Sequence, residues 1–176
     1  MSTSGLVVRR ERPANHAAVR EVHRAAFAAA TPAGDPVEVR LTDELREDAG
    51  FLPHLSLVAV VDQKVVGHVI ATRSWLEPFG TAVLGLGPLG VHPAHQGQGI
   101  GTSLVHALLA VAEACEERVV ALLSAPEYYL RFGFRPAADL GIEAPDPQWG
   151  GHFQARVLTG GAVQGRFRYA EPFDRL

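Results

Sequence analysis

The 176-residue chain has a single cysteine, Cys115, and this scarcity excludes two kinds of structure. No intramolecular disulfide can form, and no site with several cysteine ligands can bind a metal. Cys115 itself is expected to be a small buried residue on a helix. No metal site is expected elsewhere, because Pro93 separates His92 from His95 and no third ligand lies nearby.

Long apolar runs are also missing, and so is a strong surplus of charge of either sign. No stretch approaches the length of a membrane span, and residues 1–5 lack the apolar core of a signal peptide. A net charge of −3 and a pI of about 6.2 give no support to nucleic-acid binding, which usually shows a basic surplus. We therefore expect a cytoplasmic protein with neither a nucleic acid nor a membrane as partner.

The remaining composition is that of a globular protein, with 47% hydrophobic and 20% charged residues. The length is enough for one domain with a substantial core, and no linker or repeat interrupts it. We therefore expect residues 1–176 to form a single domain.

Hydrophobic periodicity predicts a mixed α/β order of elements: a strand, two helices, an antiparallel meander, a glycine turn, a long helix, and then strands around a short helix. Strands are predicted at 6–10, 55–61, 65–75, 82–91, 119–124, 134–135 and 153–158, and helices at 15–30, 37–49, 99–116 and 127–132. The long helix has one apolar stripe, formed by Ile100, Leu104, Leu108, Val111 and Cys115. On the first helix, His16 and His23 are expected to face solvent.

The segment from Leu89 to Gly101 carries the clearest chemical signal. An apolar strand stops at Pro93, three glycines follow at alternate positions (Gly97, Gly99 and Gly101), and a helix begins at once. Glycine allows a ligand to approach the main chain closely, and the free N–H groups of a helix N-terminus attract an anion. This order predicts a backbone cradle for a pyrophosphate.

An apparent dinucleotide-binding motif lies just before this turn. The segment from Gly85 to Gly90 matches G-x-G-x-x-G, but that motif must close a strand and open a helix. Here Val91, His92 and Pro93 follow, and no lysine after the second cluster provides a Walker A loop. Context therefore excludes both nucleotide interpretations.

The remaining pattern is Gln96-x-x-Gly99-x-Gly101 after an interrupted strand, and it resembles the signature of the GNAT superfamily of N-acetyltransferases. A second GNAT-like signature, a tyrosine on a short helix before a Gly-Phe turn, matches the segment from Tyr128 to Phe134. The likeness covers most of the chain and is closest to the YhbS-like branch. It implies a GNAT fold, in which a mostly antiparallel central sheet has a splayed parallel strand pair and is flanked by helices.

The resemblance also implies a site for acetyl-CoA and no metal. Its pantetheine arm would bind the main chain of Leu89, Gly90 and Val91. Its pyrophosphate would lie on the turn formed by Gln96, Gly97, Gln98, Gly99, Ile100, Gly101 and Thr102. Tyr129 would protonate the departing thiolate or hydrogen-bond its sulfur, while Tyr128 would be structural.

One part of the expected machinery is missing. Many relatives carry a glutamate on the strand before the tyrosine helix, but here residues 119–124 contain no carboxylate. Glu77, His92 and Glu127 are the candidate general bases, and a water chain or an amine that arrives neutral would remove the need for one. Trp75, Trp149 and Phe27 suit an acceptor pocket or ordinary core packing equally well.

The leading hypothesis is thus an acetyl-CoA-dependent N-acetyltransferase in which a primary amine attacks the thioester directly. The alternative is a catalytically silent acyl-CoA-binding or regulatory module on the same fold, and transfer of another acyl group lies between the two. The acceptor, a small molecule or a peptide, is not specified by the sequence, and a homodimer is left open.

Overall fold

In the computed structural model, which describes residues 5–176, nine strands form one sheet around which the helices pack. The strands are β1 Val7–Arg10, β2 Phe51–Val61, β3 Lys64–Glu77, β4 Thr81–Val91, β5 Val119–Leu123, β6 Arg135–Pro136, β7 Ile142–Glu143, β8 Phe153–Val157 and β9 Gly165–Arg168. They pair in the order β1-β2-β3-β4-β5-β8-β6, while β9 pairs with β3 and with β7.

The α-helices are α1 His16–Phe27, α2 Val37–Glu47, α3 Ile100–Ala114 and α4 Pro126–Tyr129. Short 3-10 helices occur at Pro13–Asn15, Ala28–Ala30, Pro93–His95, Leu130–Phe132, Ala137–Leu140, Pro147–His152 and Glu171–Arg175. No helix within residues 5–176 is both long and apolar enough to cross a membrane.

Most pairs in the sheet are antiparallel, and the central pair β4–β5 is parallel. The predicted meander is confirmed, with β2 and β3 joined by a tight turn in which Asp62 and Gln63 have φ angles of 48° and 63°. Two residues with positive φ match the twist of the flanking strands. The mixed α/β fold with a parallel strand pair is therefore as predicted.

The two faces of the sheet are covered by different helices. Helix α3 packs on β2 and β3 through an apolar face that includes Leu104, Leu108 and Ala112, each completely buried. Helices α1 and α2 pack on the opposite face. The main core therefore lies between α3 and the sheet.

The predicted burial of Cys115 is wrong. The residue is exposed because α3 ends at Ala114 and Cys115 is its C-cap. Val111, which the predicted stripe included, is only half-buried. The buried face of α3 does not include these last residues. It is formed by Ile100, Leu104, Val105, Leu108, Leu109 and Ala112.

The glycines of β4 serve packing on the α1/α2 face. A Cβ atom at Gly85 would lie 2.9 Å from Tyr169 Cδ1, and one at Gly87 would lie 3.2 Å from Leu45 Cδ1. One at Gly90 would also meet a side chain from another element, His23 of α1. Side chains thus occupy the space over this strand. This packing accounts for the glycines of the G-x-G-x-x-G match without a nucleotide.

A chain of buried polar groups crosses the same face, and it corrects the expectation for His23, which is completely buried. Ser56 Oγ donates to Glu11 Oε2 at 2.6 Å, so the Ser56 oxygen accepts from His68 Nε2 at 3.0 Å. His68 Nδ1 then accepts from His23 Nε2 at 2.9 Å. Arg46 closes the chain with an ion pair to Glu11. This direction of the His23–His68 bond is that of a neutral His68, whose pKa burial lowers, and His23 Nδ1 has no partner among the described residues that would hold a second proton.

The structure extends the sequence prediction most at its C-terminal end. Strands β7 and β9 were not predicted, and β9 pairs with β3 through Trp75, Leu76 and Glu77. Tyr169, just after β9, packs among aromatic rings that form a second core on this side of the sheet: Trp149, Phe153, Phe167 and Phe173.

Acidification is expected to destabilise the fold through the buried histidines. Burial lowers the pKa of His23 and of His68 below the ordinary 6.5, so below that pH the unfolded chain binds protons that the folded chain does not. The free energy of unfolding should fall by up to about 1.4 kcal/mol per pH unit for each histidine as the pH drops below 6.5. Urea unfolding at a series of pH values measures this slope.

The variant His23→Leu/His68→Leu should lose most of this decline between pH 6.5 and 5, whereas His152→Gln, at an exposed position, should retain it. Burial would raise the pKa of Glu11, but His68 at 3.6 Å, the ion pair with Arg46 and the hydrogen bond from Ser56 lower it far below 4.5. Its stabilising effect is therefore lost only at more acidic pH. An unchanged decline in the double variant would contradict the assignment.

Candidate active site

The parallel strands β4 and β5 are paired over only two positions. Leu84 pairs with Val120 and Gly85 with Ala121, after which β4 continues to Val91 without β5 beside it. A strand that loses its neighbour leaves main-chain N–H and C=O groups that need other partners. The predicted splay is therefore present, and it begins directly after Gly85.

A cleft of about 820 Å³ opens where the two strands separate. Leu86 to Leu89 line it from β4, and Leu122 to Ser124 line it from the end of β5. Aromatic side chains form much of the remaining wall: Phe27, Tyr129, Trp149, Phe167, Tyr169 and Phe173. Phe27 and Trp149 thus contribute to the cleft, whereas Trp75 lies instead against Arg168, whose guanidinium carbon is 4.4 Å from the ring centre.

The glycine turn has the geometry of a backbone cradle. Gly97 and Gly99 have φ angles of 73° and 79°, which side chains rarely adopt, and Gly99 is the N-cap of α3. The N–H groups of residues 100–102 are in the first turn of the helix and have no intrahelical acceptor. Gln96 fastens the turn to β4, because its Nε2 donates to the Val91 carbonyl at 2.9 Å.

A second groove adjoins the cleft at Leu89 and follows this turn. It contains nearly all of the predicted cradle residues: Gln96, Gly97, Gly99, Ile100, Gly101 and Thr102. Two predicted binding residues do not line either space. Gln98 directs its amide to the Ala94 carbonyl, and Gly90 faces His23.

The sequence analysis did not predict that two further residues lie beside the glycine turn. Tyr128 and Arg131 line the groove, with the Arg131 guanidinium carbon 4.7 Å from the centre of the Tyr128 ring. A Cβ atom at Gly101 would lie 2.8 Å from the Tyr128 hydroxyl, so Gly101 is needed for close approach. The available signal was the three-residue spacing of Tyr128 and Arg131, which puts both on one side of a helical turn.

Tyr129, the last residue of α4, lines the cleft and is 7% exposed. Burial, with a smaller contribution from Tyr128, raises the pKa of its hydroxyl well above the ordinary value. The phenol therefore holds its proton at neutral pH. No hydrogen-bond partner for it is found within residues 5–176, and its ring packs against Phe132 and Phe134.

The candidate bases occupy different surroundings. Glu77 lines the cleft, but its Oε1 accepts from Arg168 Nε at 2.9 Å. His92 lines neither space, and its Nδ1 accepts from the Ala94 N–H at 3.2 Å, which caps the turn after β4. Glu127 is exposed and also outside the cleft. The described part of the chain holds no cluster of three potential metal ligands.

The split strand pair, the glycine turn and the buried tyrosine are the features expected of a GNAT acetyltransferase. The model of the Acetyltransferase (GNAT) family matches residues 16–134, which include all three. The chain belongs to this family.

Two curated relatives from Escherichia coli K12 agree with this assignment. The chain is 36% identical over 132 residues to the uncharacterized N-acetyltransferase YjhQ, covering 73% of this chain and 70% of YjhQ. It is 34% identical over 143 residues to the uncharacterized N-acetyltransferase YhbS, covering 79% of this chain and 84% of YhbS. The expected likeness to the YhbS branch is confirmed.

Solved structures extend the similarity over the whole fold. A GNAT acetyltransferase from Brucella melitensis in complex with acetyl-CoA has a TM-score of 0.79 and 32% identity, covering 97% of this chain and 99% of that one. YhbS from Escherichia coli in complex with CoA has a TM-score of 0.87 and 27% identity, covering 100% of this chain and 96% of that one.

Gly90→Ala is expected to destabilise the strand that borders the site. The added methyl group would meet His23 Nδ1 at 2.6 Å, and the hydrogen bond to His68 holds that ring in place. Overpacking of this kind costs about 1–3 kcal/mol, which urea unfolding would measure. Gly151→Ala, with open space around the added atom, is the matched control. Equal stability of the two variants would contradict this packing role.

Proposed function

We propose that the protein transfers an acetyl group from acetyl-CoA to a primary amine. The observation that carries the proposal is that the cleft of the split strands and the groove along the glycine turn lie side by side, with Leu89 lining both. An elongated donor with a phosphate-bearing end and a thioester end requires such a track. The acetyl-CoA and CoA complexes of the two structural relatives support this choice of donor.

The residues present suit this donor. The main chain of Leu89, Gly90 and Val91, which β5 leaves unpaired on one side, would bind the pantetheine arm as a neighbouring strand would. The pyrophosphate would bind the N–H groups of the turn from Gln96 to Thr102, with Gln98 contributing through its main chain. Arg131 adds a cation beside that turn.

Acetyl-CoA supplies an activated acetyl thioester, and the chain supplies position and a proton. The amine attacks the carbonyl carbon, the carbon–sulfur bond breaks, and Tyr129 gives its proton to the departing sulfur. The amine releases its own proton to water, or to Glu77 if that carboxylate leaves Arg168, and the Tyr129 phenolate then takes up a proton from water to restore the phenol.

Direct attack is favoured over an acyl-enzyme on a thiol by the position of the single cysteine. Cys115 follows the last turn of α3, a 15-residue helix that begins at the cradle. Cys115 is exposed and lines neither the cleft nor the groove, so no thiol faces the place proposed for the thioester.

A silent acyl-CoA-binding module is the second candidate. It is favoured by one observation, the pairing of Glu77 with Arg168, which leaves the cleft without an unengaged carboxylate among the candidate bases. Thiol release distinguishes the two functions, because a silent module binds acetyl-CoA but releases no free thiol with any amine.

We also infer that the entire chain acts as one GNAT domain. The family model ends at residue 134, but β8 pairs with β5, and β9 pairs with β3 in the same sheet. Location in the cytoplasm, the absence of a nucleic-acid partner and a homodimer stay predictions.

Acetyl-CoA is expected to bind saturably in a calorimetric titration, and Gly99→Val should raise its Kd. Valine would strain a residue with φ of 79° and move the N–H groups of the cradle. Loss of one charge-assisted hydrogen bond corresponds to an increase of about tenfold or more. Gly34→Val is the control, because Gly34 has a similar φ of 83° in a loop outside both spaces. The absence of saturable binding to the unmodified protein would refute the proposal.

Tyr129→Phe is expected to lower kcat by about 10²-fold or more, the usual effect of removing a general acid. The Kd for acetyl-CoA should change little, because phenylalanine keeps the ring packing. Thiol release measures turnover, and an unchanged Kd for acetyl-CoA in the same variant is the control for folding. Unchanged turnover in Tyr129→Phe would remove this residue from the mechanism.

A further inference from the structure

We propose that the acceptor is a cationic amine on a planar apolar body, and that it carries no carboxylate. This inference rests on the proposed function, because it assigns the part of the cleft beyond the split strands to the acceptor. It depends on the charge of the lining, on its aromatic rings, and on one hydroxyl group that faces the cleft without a partner.

The charge of the cleft favours a cation. Four side-chain carboxylates and two guanidinium groups line it, a net charge of −2. Both guanidinium groups have acidic neighbours, since Arg168 pairs with Glu77 at 2.9 Å and Arg166 lies 3.8 Å from Glu143. Three of the lining carboxylates form no ion pair within residues 5–176, and one of these, Asp146, accepts from the Gln148 N–H, which leaves Glu38 and Asp174. An ammonium group would gain from these two, whereas a carboxylate on the acceptor would be repelled.

The shape of an acceptor is set by aromatic rings. Trp149, Tyr169 and Phe173 form one packed group in the cleft wall, with the Tyr169 and Phe173 ring centres 4.3 Å apart. Phe27 contributes a further ring from the end of α1. Such a wall buries a flat apolar group well, and the faces of its rings attract a cation.

Tyr169 supplies an independent indication of a ligand. Its side chain is 7% exposed and lines the cleft, and its hydroxyl has no hydrogen-bond partner among the described residues. Burial raises the pKa of this hydroxyl, so it stays neutral. The hydroxyl is not among the fully buried atoms without a partner, so it is open to the cleft, where an N–H group of a bound amine would give it a partner.

Matched acceptors test the proposal. Tryptamine and tryptophan differ only in a carboxylate, and ethylamine keeps the amine without the planar body. We expect tryptamine to bind the CoA-loaded protein at least about tenfold more tightly than either. Repulsion of the carboxylate by Glu38 and Asp174 would weaken the binding of tryptophan, and loss of the buried ring would weaken the binding of ethylamine. Calorimetry measures binding, and thiol release from acetyl-CoA measures transfer in parallel.

Two variants assign the selectivity to residues. Glu38→Gln/Asp174→Asn should reduce the preference for tryptamine over tryptophan, and Tyr169→Phe should weaken tryptamine binding while preserving the ring. Glu171→Gln, an exposed carboxylate outside the cleft, should change neither.

The outcomes distinguish this inference from the proposed function. Equal binding of tryptamine and tryptophan, tighter binding of ethylamine, or no binding of any of them would overturn the inference even if another amine is acetylated. Selective tryptamine binding without thiol release would support the inference and overturn the proposed acetyl transfer.

Discussion

The separation of β4 from β5 is the constraint on which the site depends. Two paired positions, at Leu84 and Gly85, hold the strands together, and beyond them the main chain of β4 is free on one side. The cleft opens where the two strands separate. Residues of β4 line one side of it, Tyr129 also lines it, and β4 continues toward the glycine turn. Donor binding, access for an acceptor and the position of the proposed acid are thus consequences of one short pairing.

The cleft wall combines uncharged tyrosines with carboxylates that have no ion-pair partner among the described residues. Tyr129 and Tyr169 are held neutral by burial, and the His23–His68 pair between α1 and the sheet is neutral as well. Glu38 and Asp174 lie on outer elements, the first turn of α2 and the C-terminal segment. In the proposed mechanism the neutral Tyr129 phenol would supply the proton of the leaving group, while these carboxylates would attract a cation from solvent.

The sequence predicted the features that are local in the chain. The turn from Gln96 to Thr102, the short tyrosine helix and the β2–β3–β4 meander all follow from spacing and residue type over a few positions. The cleft wall could not be found in this way, because Phe27 and Tyr169 are far apart in the chain and come together only in the folded protein. His23 was misjudged for the same reason, since its partner His68 belongs to another element. The burial of Cys115 was predicted wrongly because α3 ends at Ala114, one residue before it.

The three glycines of β4 also restrict how such a protein can change over time. On the face toward α1 and α2, Gly85, Gly87 and Gly90 present no side chains, and the space above them is filled by Tyr169, Leu45 and His23. Substitution in this strand would disturb packing before it altered recognition. Changes in the cleft wall are therefore expected first in the elements around β4, so that the wall can vary while this strand is kept.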